Sequence, residues 1–194
     1  MTAAIILAAG ESSRLGQPKQ NLLFKGRTLL QSAVDSALQS NCKPVIVMLG
    51  ANASQINPIA GVTTLKNKDW KEGMASSIRI AIEEINKDLS IDNVIIMLCD
   101  QPFVSAELLN ALIDKQIETG KSIVACTYNG TIGVPVLFDH TIFAELLLLQ
   151  GQEGAKKILK THANVIATIP FEQGGIDIDT PDDYERLRKI DARP

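Results

Sequence analysis

Short runs of aliphatic residues alternate with amphipathic segments along this chain as far as residue 127. Several runs are near-continuous in Ile, Val and Leu, which is typical of strands buried on both faces of a sheet. The predicted strands are residues 3–8, 44–49, 62–65, 94–98 and 122–127. Helical spacing of apolar residues predicts helices over 28–39, 75–85 and 105–117. This alternation predicts an α/β fold, a Rossmann-like three-layer α/β/α arrangement around a mostly parallel sheet.

The alternation changes after residue 127. Asn129 and Gly130 indicate a turn, so an antiparallel hairpin arm or edge strand is predicted over 131–138. Thr180 and Pro181 are the predicted N-cap and first residue of a last helix. The remaining predictions are helices over 139–149 and 153–161 and strands over 165–169 and 176–178. No repeat or linker is visible, so residues 1–194 are expected to form a single domain.

Bulk properties exclude several classes of protein. The formal net charge of −3 argues against a broad nucleic-acid-binding surface. No apolar run reaches the ~18 residues of a membrane span, and the first residues lack the positive region of a signal peptide. Cys42, Cys99 and Cys126 form no CxxC pair and are expected to be reduced, mostly buried thiols. We therefore expect a cytoplasmic protein without nucleic-acid or membrane partners.

The loop after the first predicted strand is a candidate site. Ligands of open parallel α/β sheets bind beyond the carboxyl ends of strands, where this chain reads "LAAGESSRLGQPK" over residues 7–19. Gly10 and Gly16 let the backbone approach a ligand and tolerate positive φ, and Arg14 and Lys19 offer charge to phosphate oxygens. Neither the Walker A nor the GxGxxG pattern fits. Phosphate binding is the favoured interpretation, and a solvated surface loop is the alternative.

Two acidic positions are candidates for metal chemistry. "VIIMLCDQP", residues 94–102, ends a buried strand in Asp100, where a carboxylate would hold Mg²⁺ against phosphates. The alternative is that Asp100 begins a turn. Asp177 and Asp179 alternate, so on a strand both would point to one side. Here the alternative is that Asp179 helps to begin the last helix.

A further stretch, "NKDWKEGMASS" over residues 67–77, places the only tryptophan, Trp70, among polar residues. Gly73 and Ser77 lie where an amphipathic helix begins, and a helix N-terminus favours an anion. The alternative is that Trp70 anchors the loop and that the serines cap the helix. Ligand contact and structural roles are about evenly supported by these residues alone.

These stretches together resemble the MobA/MocA group of nucleotidyltransferases, whose signature reads L-A-A-G-x-S-x-R-x-G-x-x-K. Similar segments of that group read N-x-x-W-x-x-G-x-x-x-S, GDQP or GDMP, G-x-P-x-L-F and D-x-D-T-P-E-D. The resemblance spans nearly the whole chain and is densest in its first half. It implies Mg²⁺-dependent transfer of a nucleotide to a phosphate-bearing acceptor such as molybdopterin, with release of pyrophosphate. Ala9 resembles the cytidylyltransferase branch and so implies CTP, because the guanylyltransferase branch usually reads AGG there.

The resemblance also implies roles for individual residues. Catalytic roles fall to Lys19, Arg14 and Asp100. The metal ligands would be Asp100 and Asp179, with Asp177 as the alternative to Asp179. The implied nucleotide-binding residues are Leu7, Ala8, Ala9, Gly10, Ser13, Arg14, Gly16, Lys19, Asn67, Gly73 and Ser77. The implied acceptor-binding residues are Trp70, Gln101, Pro102, Gly133 and Pro135.

The chain departs from the group's pattern at four positions. Cys99 replaces a glycine, and Val134, Gln152 and Lys156 replace His, Asp and Arg in the half that should select the acceptor. The acceptor therefore stays open. The alternatives are a GTP-using guanylyltransferase, a sugar-phosphate nucleotidyltransferase, or a catalytically silent nucleotide-binding module. The resemblance also implies transient contact with a molybdoenzyme or its chaperone.

Overall fold

The computed structural model describes residues 1–191. Its strands are β1 (Thr2–Ala8), β2 (Leu23–Phe24), β3 (Arg27–Thr28), β4 (Val45–Leu49), β5 (Thr63–Lys66), β6 (Asn93–Leu98), β7 (Ile123–Tyr128), β8 (Thr131–Asp139) and β9 (Ile166–Pro170). Its α-helices are α1 (Leu29–Gln39), α2 (Met74–Ile85), α3 (Ala106–Thr119), α4 (Phe143–Leu146), α5 (Ala155–Thr161) and α6 (Pro181–Asp191). The predicted alternation of strands and helices is confirmed.

The strands form a seven-stranded sheet in the order β5-β4-β1-β6-β8-β7-β9. β8 runs antiparallel to both β6 and β7, whereas the other neighbouring pairs are parallel. The Rossmann-like, mostly parallel sheet with an antiparallel late strand is therefore confirmed. β2 and β3 form a separate short hairpin. The sequence analysis missed this hairpin because two-residue strands carry no periodicity.

Two hydrophobic clusters cover the faces of the sheet. Ile5 of β1 packs into the cluster that includes α2, α4 and α5, and its neighbour Ile6 packs into the cluster that includes α1 and α3. Both isoleucines are fully buried, as expected for a strand between two helical layers. β1 is therefore an internal strand between two helical layers, paired with β4 on one side and β6 on the other. The loop that follows β1 starts from this buried, fully paired strand.

The hairpin arm predicted over 131–138 is confirmed as β8, which lies inside the sheet between β6 and β7 rather than at its edge. A register shift opposite Ala125 and Cys126 leaves Pro135 outside the ladder, so this internal strand tolerates the proline. Two other predictions about the late segments need correction. Residues 176–178 are not a strand, and Ile178 N donates a single hydrogen bond to Asp100 O (3.2 Å). The helix predicted over 139–149 is reduced to a 3₁₀ turn and the four-residue α4.

Other expectations concern cysteines and membranes. Cys42, Cys99 and Cys126 are buried and free, which confirms the prediction of buried thiols. Among residues 1–191, no helix has both the length and the apolar character needed to span a membrane.

Candidate active site

A cavity of about 700 Å³ lies at the carboxyl ends of β1 and β6. This is the edge of a parallel sheet where ligands are expected. The predicted site residues that line it are Leu7, Ala8, Ala9, Gly10, Ser13, Arg14, Lys19, Trp70, Gly73, Ser77, Asp100, Asp177 and Asp179. The predicted site residues that do not line it are Gly16, Asn67, Gln101, Pro102, Gly133 and Pro135.

The loop between β1 and Lys19, residues 9–18, is called the phosphate loop below. Ser12 folds it tightly: its carbonyl accepts hydrogen bonds from Leu15 N (3.0 Å) and Gly16 N (3.2 Å), and its Oγ accepts from Lys19 N (3.1 Å). Gly16 has the expected positive φ of 73°. The other left-handed residue of the loop is Ser12 (φ 58°) and not Gly10. The backbone N–H groups of Lys19 and its neighbours are thereby ordered before any ligand arrives.

Two amide side chains brace the start of the phosphate loop. Gln20, which is 1% exposed, donates through Nε2 to Ala8 O (2.7 Å) and Gly10 O (3.3 Å). Asn52 Nδ2 donates to Gly10 O (3.4 Å) and Glu11 O (3.3 Å). Buried or partly buried carbonyls need such donors. The sequence analysis selected neither Gln20 nor Asn52, although Gln20 directly follows Lys19.

A third hydrophobic cluster ties the phosphate loop to the last helix. Leu15 of the loop packs with Ile178 and with Leu187 of α6. At the start of α6, Thr180 Oγ1 accepts a hydrogen bond from Asp183 N (3.3 Å), and Asp183 Oδ2 accepts one from Thr180 N (2.9 Å). The predicted N-cap is confirmed. These contacts bring Asp179 beside the loop although residues 176–178 form no strand.

Arg14, Lys19, Asp100 and Asp179 form an ion-paired group, called the charged cluster below. Lys19 Nζ lies 2.5 Å from Asp100 Oδ2 and 2.8 Å from Asp179 Oδ1. Arg14 Nη2 lies 2.8 Å from Asp179 Oδ2. The Lys19 and Asp100 side chains are only 16% and 10% exposed, whereas the Arg14 side chain is 70% exposed. The structure thus brings together the three residues with predicted catalytic roles.

Burial and charge oppose each other in this cluster. Burial lowers the pKa of Lys19, but the charge of Asp100 and hydrogen bonds to Asp100 and Asp179 raise it more, so the ammonium stays protonated. Burial, together with the charge of Asp179, raises the pKa of Asp100 although Lys19 counteracts part of this effect. Hydrogen bonding from Lys19 and the charges of Lys19 and Arg14 lower the pKa of Asp179. Asp179 therefore ionises more readily than Asp100.

The charged cluster has the donor chemistry that a hard divalent cation requires. Asp100 Oδ1 is buried and has no hydrogen-bond partner among the described residues. Within residues 1–191, no group of three or more His, Cys, Asp or Glu side chains converges on one point. Mg²⁺ is commonly held by one or two carboxylates together with substrate phosphates and water. Asp100 and Asp179 fit that arrangement, whereas the exposed Asp177 makes none of the cluster's contacts.

Several predicted ligand contacts have structural partners instead. Asn67 is buried, and its Nδ2 donates to Ser76 Oγ (2.7 Å) and Ser77 Oγ (3.0 Å). Gln101 is buried, and its Nε2 donates to Val134 O (3.2 Å) and Gly174 O (3.0 Å). These side chains order the walls of the site. Their assignment to nucleotide or acceptor contacts stays a prediction.

The cavity also exposes residues that the sequence analysis did not select. These are Glu11, Ser12, Gln20, Lys71, Met74, Leu98, Cys99 and Gln152. Most are sequence neighbours of selected residues, so the local motif was the available signal. Gln152 is the exception, because it lies far along the chain from the other residues of this wall. Only its departure from the group's pattern pointed to it.

Curated relatives resemble the chain over nearly its whole length. The purine catabolism protein PucB of Bacillus subtilis is 28% identical over 95% of both chains. Nicotine blue oxidoreductase of Paenarthrobacter nicotinovorans is also 28% identical, over 94% of both chains. The molybdenum cofactor cytidylyltransferase of Escherichia coli is 23% identical over 93% of this chain and 92% of the relative.

Solved structures and a family model agree with these relatives. Rv0371c from Mycobacterium tuberculosis superposes with a TM-score of 0.86 at 31% identity, covering 97% of both chains. A manganese complex of Rv0371c superposes with a TM-score of 0.81 at 29% identity, covering 97% of this chain and 98% of that one. Residues 4–165 match the model of the MobA-like NTP transferase domain. The chain therefore belongs to the MobA-like NTP transferase family, and its fold is that of a MobA/MocA-like nucleotidyltransferase.

Proposed function

We propose that this protein transfers CMP from CTP to a phosphate-bearing acceptor such as molybdopterin and releases pyrophosphate. The observation that carries the proposal is the charged cluster beside the phosphate loop, at the carboxyl ends of β1 and β6. The cluster combines two cationic side chains for phosphate oxygens with two carboxylates for a cation. Such a site serves phosphoryl-type transfer, which depends on positioning and charge more than on covalent help.

The proposed step is an in-line displacement at phosphorus. An oxygen of the acceptor phosphate forms a bond to the α-phosphorus of CTP. The bond from that phosphorus to the oxygen bridging the β-phosphate breaks, and pyrophosphate leaves with its electron pair. The acceptor phosphate is already an anion, so the step needs no strong general base. The charged cluster contains none, since Lys19 stays protonated.

Lys19 and Arg14 neutralise the charge of the substrate phosphates in this proposal. Both side chains line the cavity next to the phosphate loop. They pair with Asp179 in the structure, so the triphosphate must exchange with that carboxylate for their charge. A preorganised cation that meets charge developing on a leaving group typically contributes several kcal/mol to catalysis. Lys19 is the better placed of the two because its side chain is largely buried.

Asp100 and Asp179 would hold a divalent cation together with the nucleotide phosphates. A divalent cation held there would supply positive charge to the substrate phosphates. The manganese complex of Rv0371c supports a divalent cation in this fold without selecting magnesium. The unpartnered Asp100 Oδ1 supports the same location.

The choice of donor and acceptor rests on fewer observations. Ala9 lines the cavity and supports CTP through its resemblance to the cytidylyltransferase branch, to which the Escherichia coli relative is also assigned. PucB and nicotine blue oxidoreductase match at higher identity, and their names do not mention the molybdenum cofactor. Molybdopterin as the acceptor is therefore supported by the Escherichia coli relative and not by these two. We further propose that the chain acts as one domain in the cytoplasm and meets a molybdoenzyme or its chaperone transiently. The last part of the single-domain prediction, residues 192–194, lies outside the described residues.

The test is a pyrophosphate-release assay with every pairing of CTP, GTP, ATP and UTP with candidate acceptors. Molybdopterin, sugar phosphates and other small phosphorylated compounds serve as acceptors, with Mg²⁺, with Mn²⁺ and with EDTA. We expect release with CTP and molybdopterin that EDTA abolishes. A preference for GTP would contradict CTP as the nucleotide donor, and a preference for a sugar phosphate would contradict molybdopterin as the acceptor. Nucleotide binding without release for any pairing would overturn nucleotide transfer.

A further inference from the structure

A late loop closes the cavity wall formed by the start of α2. Residues 149–154, called the capping loop below, connect α4 to α5. Gly73 precedes α2 and supplies no side-chain cap, and the first-turn N–H of Ala75 donates instead to Gly151 O (3.1 Å). The first N–H groups of a helix need such partners. The capping loop is therefore fixed to the helix that forms this wall.

An ion pair holds the capping loop from behind. Arg79 donates to Glu72 through two parallel hydrogen bonds, Nη1 to Oε1 (2.8 Å) and Nη2 to Oε2 (2.6 Å). Arg79 Nη1 also donates to Leu149 O (2.7 Å), and Gly151 N donates to Glu72 Oε1 (3.4 Å). Bidentate Arg–carboxylate pairs fix geometry as well as adding energy. The pair thus connects both the start and the middle of the capping loop to α2.

Glycine at position 73 allows the closest approach of this loop. Gly73 has a φ of 126°, and a Cβ there would lie 2.3 Å from Gly151 O and 2.9 Å from Gln152 Cδ. Because the backbones of Gly73 and Gly151 are in direct contact, any residue larger than glycine at position 73 would overlap with Gly151. The Gln152 side chain consequently lies directly over Gly73, at the wall that also includes Trp70 and Met74. We call Trp70, Gly73, Met74 and Gln152 the α2 wall.

The Gln152 amide and the Trp70 indole N–H are the side-chain groups of the α2 wall that make no hydrogen bond with the described residues, and of the two only the amide can both donate and accept. The Gln152 amide lines the cavity. An amide offers two donors and an acceptor without net charge. The phosphates of a ligand would therefore bind the cationic side chains of the charged cluster in preference to the uncharged Gln152 amide. The flat, largely apolar faces of a nucleobase suit Trp70 and Met74, and its polar edge suits an amide.

We propose that Gln152 recognises the edge of the nucleobase, and that Glu72 and Arg79 are positioning residues that set Gln152 in place. The inference rests on the proposed function in that it takes a nucleoside triphosphate as the ligand. It goes further by assigning base recognition to Gln152 and Trp70, which the family resemblance had instead placed with acceptor selection and acceptor binding. It does not depend on whether the nucleotide is subsequently transferred.

Trp70 provides a direct readout, since it is the only tryptophan and lies in the α2 wall. Its fluorescence is titrated with CTP, UTP and inorganic tripolyphosphate, which has the phosphates but no base. We expect Gln152→Ala to weaken CTP roughly three- to tenfold, as for a lost hydrogen bond, and to leave tripolyphosphate unchanged. Gln152→Glu keeps an acceptor but loses the donors. It should shift the CTP-to-UTP affinity ratio towards CTP, whose exocyclic amino group is a donor.

The positioning pair is tested by Arg79→Gln and by the more conservative Arg79→Lys. Both should reproduce the CTP-specific loss of Gln152→Ala with unchanged tripolyphosphate affinity. The double variant Arg79→Gln/Gln152→Ala should lose no more than the larger single effect, because the residues act on one contact. Arg27→Gln is the control, since it breaks an exposed ion pair to Asp35 on α1 and should leave every affinity unchanged.

Several results would overturn the inference. Equal losses for CTP and tripolyphosphate would make the capping loop part of the phosphate site. Unchanged CTP affinity in Gln152→Ala, or CTP that binds the wild type no better than tripolyphosphate, would remove base recognition from Gln152. Base-specific losses in a protein that never releases pyrophosphate would instead contradict the proposed function and leave this inference intact.

Discussion

The charged cluster and the α2 wall face the same cavity but are stabilised in different ways. In the charged cluster, the groups that would meet the ligand are bonded to one another: Lys19 with Asp100 and Asp179, and Arg14 with Asp179. In the α2 wall, the stabilising bonds are made by the Glu72–Arg79 ion pair and by Arg79 with Leu149 O. None of these residues is among those that we expect to contact the ligand. A ligand must therefore exchange ion pairs in the first region and only add contacts in the second. In the two proposals above, the first region serves transfer and the second serves the choice of substrate.

The strongest test of this separation is Asp100→Asn. The amide keeps the shape of the buried side chain but removes a proposed ligand of the divalent cation. Loss of several kcal/mol of metal assistance corresponds to about a 10³-fold lower rate of pyrophosphate release. Mg²⁺ titrations of the rate, with a thermal-unfolding control for the fold, provide the measurement. An unchanged Mg²⁺ response would remove Asp100 from the metal site.

Lys19→Met should have the next largest effect. The substitution keeps the length of the side chain but removes the charge that we assign to the phosphates. Removing one preorganised group of this kind typically lowers turnover by about 10²–10³-fold. Single-turnover rates at saturating CTP measure the effect. Lys160→Met, at an exposed lysine of α5, is the matched control. Near-normal pyrophosphate release from the Lys19 variant would refute the catalytic assignment.

Gly73→Ala disturbs the α2 wall and leaves the charged cluster intact. Positive φ and overlap with Gly151 O should together lower the free energy of unfolding by about 3 kcal/mol. Gly120→Ala has a positive φ of 61° but open space around the new Cβ, so it should lose only about 1 kcal/mol. Urea denaturation of both variants measures the difference. Equal losses of unfolding free energy in the two variants would mean that the capping loop can shift at little cost and does not fix the position of Gln152.

The smallest expected effect concerns pH and Asp179. Lys19 and Arg14 lower the pKa of Asp179 in the folded protein, so this carboxylate stabilises the fold above its unfolded pKa of about 4. That stability is lost as the pH falls through the lower folded pKa. The melting temperature of Asp179→Asn should therefore lie below that of the wild type at neutral pH and approach it in acid. Asp114→Asn, at an exposed carboxylate of α3, is the matched control.

The sequence predicted the centre of the fold better than its late part. Buried parallel strands carry a strong signal because their aliphatic runs leave few alternative structures. Residues 176–178 had a strand-like pattern but lie beside Asp100, where β6 has already ended. Ile178 N donates one hydrogen bond to Asp100 O, and Ile176 N donates back to Gln173 O, so no strand ladder forms. The turn at Asn129 and Gly130 left a hairpin arm and an edge strand both open over 131–138, and only the register shift with β7 shows how an internal strand accommodates Pro135. Such outcomes depend on neighbours that local patterns do not reveal.

The candidate site divides in the same way. Lys19, Arg14 and Asp100 were selected because local motifs carry them, and the structure places them together. Asn52 and the Glu72–Arg79 pair gave no local signal, because their roles arise from contacts with distant carbonyls. Asn67 and Gln101 were assigned to ligands but bond to the protein. A motif identifies residues near a ligand more readily than it distinguishes contact from support.

The attachment of the phosphate loop to α6 has a consequence for synthesis of the protein. Lys19 is translated early, but its partner Asp179 follows 160 residues later, and Leu15 packs on Leu187 of α6. A ribosome-bound chain that already contains β1 to β9 thus still lacks the contacts that Asp179 and Leu187 make with the phosphate loop and Lys19. Contacts of such sequence separation close late and slow folding. We therefore expect the nascent protein to bind the proposed nucleotide only after α6 leaves the exit tunnel.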